Sequence, residues 1–141
     1  MKKLLLLLLL ATCIPIFCMR ASAQGVVFIA NSSVKGSEYS KADVRDVFTG
    51  ASSTLKSGSQ VTPVVLKQGV VHEDFLTRFV GKSDSAFRAN WRSIVFSGQG
   101  VMPRTVDSES AMVEYVAHTA GAVGYIGKPT LHEGIKTLAV R

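Results

Sequence analysis

The chain has 141 residues and a formal net charge of +6, with 47% hydrophobic and 18% charged residues. Its length fits one domain. The two cysteines, Cys13 and Cys18, both lie near the amino terminus, so the rest of the chain offers no disulfide, cysteine metal site or cysteine nucleophile.

The first residues predict a secretory signal peptide. Two lysines follow Met1, an apolar run begins at Leu4, and the small residues Ala21–Ala23 suit a signal peptidase. We therefore expect cleavage after Ala23, export to the periplasm and a mature domain of residues 24–141. A retained anchor or a lipidated leader cysteine are the alternatives. Cleavage removes three basic residues and no acid, so the net charge falls from +6 to +3, and no basic stripe for nucleic acid remains.

In chain order, the mature sequence begins with a predicted strand, helix and second strand. The apolar, β-branched run Val26–Ala30 predicts a buried strand. A capping box that starts at Ser40 predicts a helix ending near Gly50. Val61–Leu66 predicts the second strand, with Pro63 near its start or at a sheet edge.

The second half of the chain continues this alternation. Helices are expected from about His72 to Val80, after a cap at Ser83 or Asp84, and after a cap at Asp107 or Ser108; strands are expected at 122–126 and 134–140. Strands that alternate with helices predict an α/β fold, with a mixed, mostly parallel sheet flanked by helices.

Polar segments follow the predicted strands, and in open α/β sheets ligands bind beyond the carboxyl ends of strands. One such segment follows the first strand, a second follows the second strand and runs into the next helix, and Gly127 and Lys128 follow the third. The predicted ligand contacts are Ser32, Ser33, Lys67, Gln68, Gly69 and His72.

The segment Leu66–Phe75 has the strand, glycine loop and helix start that bind anions. Its helix, however, carries Glu73 and Asp74 in the first turn, where the helix dipole stabilises carboxylates and an anion would be repelled. The sequence therefore predicts an anion-loop geometry whose ligand chemistry has been changed or lost.

Motifs of enzymes are missing from the sequence. It contains no G-x-S-x-G elbow, no P-loop, no H-E-x-x-H and no G-x-G-x-x-G, and the three histidines are scattered. Because no nucleophile and base are paired, we expect a protein that is not an enzyme and needs no cofactor or metal.

Six motifs in order resemble the periplasmic phosphate-binding proteins of ABC transporters: VVFIANSSV, YSKADVRDVFTG, VTPVVLKQG, EDFLTRFVG, FRANWRSIVFSGQG and AGAVGYIGK. The resemblance implies one lobe of the type II periplasmic-binding fold. Lys67 takes the place of the family's arginine, and Val71–Glu73 replaces its Ser-Gly-Thr, so no hydroxyl remains there. The tryptophan that the family carries after DVFTG is also missing.

The resemblance implies an exported solute-binding-like protein that binds phosphate or another small anion. The alternative is a single-lobe interaction module that docks on an envelope or sensor protein without a small ligand of its own. Self-association could also complete the cleft that the family forms between two lobes.

Overall fold

The computed structural model describes residues 25–141, so the predicted signal peptide lies outside the described residues. Within residues 25–141, no helix combines the length and the apolar character that crossing a membrane requires.

The described residues alternate between strands and helices as the sequence predicts. The elements are β1 (Val27–Asn31), β2 (Glu38–Tyr39), α1 (Lys41–Phe48), β3 (Thr62–Leu66), α2 (Val70–Phe75), α3 (Asp84–Phe96), β4 (Arg104–Val106), α4 (Glu109–His118), β5 (Ala122–Ile126) and β6 (Ile135–Val140). The chain runs from α2 directly into a π-helical turn, Leu76–Val80, which ends at Gly81 in the left-handed conformation.

The six strands form one sheet in the order β2-β6-β1-β5-β3-β4. β3 runs parallel to β4 and β5, and β2 runs parallel to β6. β1 runs antiparallel to both of its neighbours, β5 and β6. The predicted mixed, mostly parallel sheet flanked by helices is confirmed.

Serine side chains start three of the helices. Ser40 and Asp43 form the predicted capping box of α1, while Ser83 caps α3 and Ser108 caps α4. Each serine oxygen accepts a backbone N–H that would otherwise lack a partner. Pro63 lies near the start of β3, as predicted, but β3 lies between β5 and β4 rather than at the sheet edge.

A cluster of aromatic rings forms the centre of the core between the sheet and the helices. Phe75 stacks on Tyr125 with ring centroids 4.0 Å apart, and it meets Phe48 edge-on at 4.9 Å. Phe28 contacts all three rings, with centroids 5.9–6.5 Å away. The Nε1–H of Trp91 donates to the carbonyl of Phe48 at 2.9 Å, which ties α3 to α1.

Candidate functional site

The parallel strands β3, β4 and β5 end at the same edge of the sheet, and an open trough lies there. One cleft has a volume of about 510 Å³ and lies between α4 and the loop after β5. A second, of about 390 Å³, lies between the loop after β3 and the start of α4. Both are lined by Val71 and Glu109, so we treat them as one surface, the carboxyl-edge trough.

The residues that line the trough come from three parts of the chain. They are Leu66, Gln68–Val71, Asp107–Ser110, Val113, Glu114, Ile126–Lys128, Thr130 and His132. The predicted contacts Gln68 and Gly69 are among them, and Lys67 is the exposed residue directly before them.

The loop after β3 is held in place through its backbone. The N–H of Lys67 donates to the carbonyl of Val106 at 2.9 Å, and its carbonyl accepts from Arg88 Nη2 at 2.8 Å. Gly69 has φ 112°, which a residue with a side chain rarely adopts, and α2 begins right after it without a side-chain cap. This conformation starts the helix at Val70, two residues earlier than the sequence predicts.

His72 lies inside the fold, although the sequence predicts it as a ligand contact. Its residue surface is 2% exposed, Nδ1 lies 2.5 Å from Tyr125 Oη, and Nε2 lies 2.8 Å from Asp84 Oδ1. The Asp84 carboxylate can only accept, so Nε2 of His72 carries a hydrogen and donates it to Asp84. In this tautomer Nδ1 has no hydrogen and accepts the hydroxyl hydrogen of Tyr125, whose oxygen in turn accepts the N–H of Leu66. Both ring nitrogens are thus committed to internal bonds, and neither is free for a ligand.

This internal network connects the strand end to α3. Burial acts to raise the pKa of Asp84, but hydrogen bonds from Arg88 and His72 outweigh it and hold that pKa below its usual range. Burial raises the pKa of Tyr125, which keeps its hydroxyl protonated. Since Arg88 also binds the carbonyl of Lys67, the network fixes the loop that leads into the trough.

Ser32 and Ser33 lie at the opposite edge of the sheet from Lys67, because β1 runs antiparallel to β5. Ser33 Oγ accepts the N–H of Gly121, which precedes β5, at 3.0 Å. The neighbouring Asn31 is buried and donates to the carbonyl of Val116 at 2.8 Å, near the end of α4. The structure therefore does not bring the two groups of predicted ligand contacts together, and these polar residues bind backbone groups of the fold.

Solved structures with a similar fold identify the architecture. The match to an ABC-type phosphate transport receptor from Vibrio cholerae covers 82% of this chain and 46% of the receptor chain, with a TM-score of 0.60 and 16% sequence identity. The match to PstS from Borrelia burgdorferi covers 82% of this chain and 46% of the PstS chain, with a TM-score of 0.62 and 15% sequence identity. The chain has the fold of one lobe of a type II periplasmic-binding protein.

A third structure supports the same assignment of the fold. This structure is a Clostridium perfringens protein that is assigned as a phosphate ABC transporter substrate-binding protein and was solved with bound phosphate. The match covers 82% of this chain and 44% of that protein, with a TM-score of 0.61 and 16% sequence identity. The chain thus spans less than half of the length of the proteins it matches. No protein-family model and no curated protein matches the chain.

The carboxylates that face the trough of this lobe come from α4 and the residue before its cap. Asp107, Glu109 and Glu114 line the trough, whereas Glu73 and Asp74 are not among the lining residues. Glu109 Oε1 accepts the backbone N–H of Gly127 at 2.5 Å. The sequence analysis names Glu73 and Asp74 as the carboxylates at the anion position and does not name the three that line the trough.

His132 joins the loop after β5 to α4 through two acceptors. Its Nδ1 lies 2.6 Å from the carbonyl of Glu133, and its Nε2 lies 3.1 Å from Glu114 Oε1. The bond to the Glu133 carbonyl, together with the bond to Glu114, raises the pKa of His132. Among residues 25–141, no group of three or more His, Cys, Asp or Glu side chains is placed to hold a metal ion.

Replacing Glu114 with glutamine is expected to lower the pKa of His132. Because the folded pKa is raised, the contact stabilises the fold below the unfolded value of about 6.5, and this contribution is lost as pH rises through the folded pKa. NMR titration of the His132 ring measures the pKa directly. Glu38→Gln, which removes a carboxylate next to Arg141, serves as the control; equal His132 pKa values in wild type and Glu114→Gln would contradict this role.

Proposed function

We propose that this chain is an exported solute-binding-like lobe, and that its carboxyl-edge trough takes a small anion such as phosphate. The observation that carries the proposal is the open trough at the ends of three parallel strands, the place where ligands bind in open α/β sheets. The matched proteins support the ligand class, since one is a phosphate transport receptor and another, assigned as a phosphate substrate-binding protein, was solved with bound phosphate.

The backbone and two lysines supply the groups that attract an anion. The uncapped start of α2 lies at the trough, next to the exposed Lys67, and Lys128 lines the other cleft. Backbone N–H groups at a helix start and ammonium groups both favour negative charge.

The carboxylates of the trough oppose the anion. Asp107, Glu109 and Glu114 outnumber the two lysines, so the local charge does not favour tight binding. We therefore expect phosphate to bind the native lobe with a Kd of about 1 mM, which corresponds to about −4 kcal/mol.

The buried histidine network does not support an enzymatic function. Tyr125, His72 and Asp84 form a chain of hydrogen bonds like that of a catalytic base and its orienting group. His72 is buried, however, and both of its ring nitrogens are bonded inside the fold, so a substrate atom has no ring nitrogen to contact. A binding role without catalysis agrees with this geometry.

Isothermal titration with phosphate and sulfate tests the proposed site through Lys67→Ala. Loss of the ammonium group next to the loop is expected to weaken phosphate binding about tenfold. Lys56→Ala is the matched control, because Lys56 is also exposed but lies outside the trough and close to Asp43. Equal phosphate affinity in wild type and Lys67→Ala would show that the anion does not bind at the loop after β3. Absence of binding heat from the wild type up to tens of millimolar phosphate or sulfate would reject a small anion as the ligand.

The second candidate function is an interaction module that docks on an envelope or sensor protein, or on a second copy of this chain. Val70, which lines the trough, is 65% exposed, and Leu131, between the lining residues Thr130 and His132, is fully exposed. Exposed apolar side chains at the rim of the carboxyl-edge trough favour a partner protein whose surface covers them. Sedimentation at high protein concentration, with and without phosphate, tests docking on a second copy, because a monomer under both conditions excludes self-association.

A further inference from the structure

The backbone N–H of Gly127 already binds a carboxylate of the same chain, that of Glu109. The N–H of Gly127, directly after β5, donates to Glu109 Oε1 at 2.5 Å, and both residues line the larger cleft of the trough. A side chain at position 127 would lie 2.8 Å from Val71 Cγ2 and 3.1 Å from Glu109 Oε1. A side chain here would therefore require the Val71 and Glu109 side chains to shift.

The surroundings of this contact suit a small oxyanion. Lys128 follows Gly127 directly and lines the same cleft, as do the hydroxyl-bearing residues Ser110 and Thr130. The contact between Glu109 and Gly127 is open to solvent, so a free anion can reach it from the cleft. The volume of about 510 Å³ leaves room for an anion of the size of phosphate.

We propose that Glu109 acts as an internal competitor, whose carboxylate occupies the backbone donor that a bound oxyanion would otherwise use. This inference rests on the proposed anion-binding function of the trough and assigns its regulation to one residue. Removing the Glu109 carboxylate frees the N–H of Gly127 and eliminates one negative charge at the ligand position. Glu109 thereby determines how weakly the native lobe holds an anion.

Titration of purified Glu109→Ala and Glu109→Gln with inorganic phosphate and sulfate tests this role. We expect phosphate binding about tenfold tighter than wild type in Glu109→Ala, and a smaller gain in Glu109→Gln, because the glutamine oxygen still accepts the Gly127 N–H without a charge. The backbone amide signal of Gly127 reports on the same event by NMR. It should move when Glu109 is removed, and acetate should move it back by replacing the lost carboxylate.

The control is Glu73→Gln, which removes the same charge from the exposed side of α2, outside the lining of the trough. The inference is overturned if Glu73→Gln tightens binding as much as Glu109→Gln, or if neither Glu109 variant differs from wild type. Its failure and that of the proposed function are distinguishable. If the wild type binds phosphate and the Glu109 variants bind it equally well, only the inference is rejected. If Glu109→Ala binds phosphate and the wild type does not, the inference is supported and phosphate binding by the native lobe is rejected. If neither the wild type nor any variant binds phosphate or sulfate, both the inference and the proposed function are rejected.

Discussion

Replacing Phe75 with alanine is expected to lower the free energy of unfolding by about 3–5 kcal/mol, the range for truncating a buried phenylalanine. The ring of Phe75 is fully buried and packs against Phe28, Phe48 and Tyr125. Its removal leaves a cavity at the junction of α2 with the sheet, which the surrounding rigid rings cannot fill. Urea unfolding, followed by circular dichroism, measures the loss.

The matched control for this prediction is Phe96→Ala. Phe96 is 96% exposed at the end of α3, so the same chemical change should alter the stability by less than about 0.5 kcal/mol. If Phe75→Ala fails to fold, Phe75→Leu provides the measurement, with an expected loss of about 1 kcal/mol. A Phe75→Ala protein as stable as Phe96→Ala would contradict the packing described for this cluster.

Replacing His72 with alanine is expected to lower the free energy of unfolding by about 2–4 kcal/mol. The substitution removes both hydrogen bonds of the ring and leaves the buried hydroxyl hydrogen of Tyr125 without a partner, in addition to a cavity. Denaturant unfolding at neutral pH measures the change. His118→Ala is the control, since the His118 side chain is 72% exposed and should tolerate the change within about 0.5 kcal/mol.

A ligand role for His72 predicts a different outcome. If His72 contacted a ligand from the surface, its replacement would reduce phosphate affinity and leave the stability nearly unchanged. A stability loss close to that of His118→Ala would therefore contradict the internal network and restore the interpretation that the sequence suggests.

Much of the fold was predictable because local signals agree with the tertiary structure. The capping serines and the apolar faces of α1 and α4 predicted these helices, and the run Ala122–Ile126 predicted β5 in full. The strands β2 and β4 were missed, because two or three residues are too few to show an alternating pattern. The π-helical turn Leu76–Val80 was also missed, since its apolar spacing looks like that of an α-helix.

The direction of β1 was the main obstacle to predicting the site. Nothing near Ser32 and Ser33 in the sequence determines whether β1 runs parallel or antiparallel to β5, because the pairing partners lie far along the chain. The sequence pattern therefore places the polar residues after β1 at the same edge as Lys67, and the antiparallel pairing of β1 with β5 contradicts this.

The trough carboxylates were missed for a similar reason. Asp107 and Glu109 reach the trough only because β4 pairs with β3 and ends at Val106. Recognition of β4 would have placed both residues at the carboxyl edge. The helix cap at Ser108 was the one visible signal, and it indicated only that a helix begins there.

The most direct test of the proposed anion site is a phosphate titration of the wild-type protein, followed by the backbone amide signals in NMR. The proposal predicts millimolar binding, with the largest shifts at the trough, in Lys67–Val70 and in Gly127 and Lys128. Shifts concentrated at Ser32 and Ser33, on the opposite edge of the sheet, or an unchanged spectrum at tens of millimolar phosphate, would contradict it.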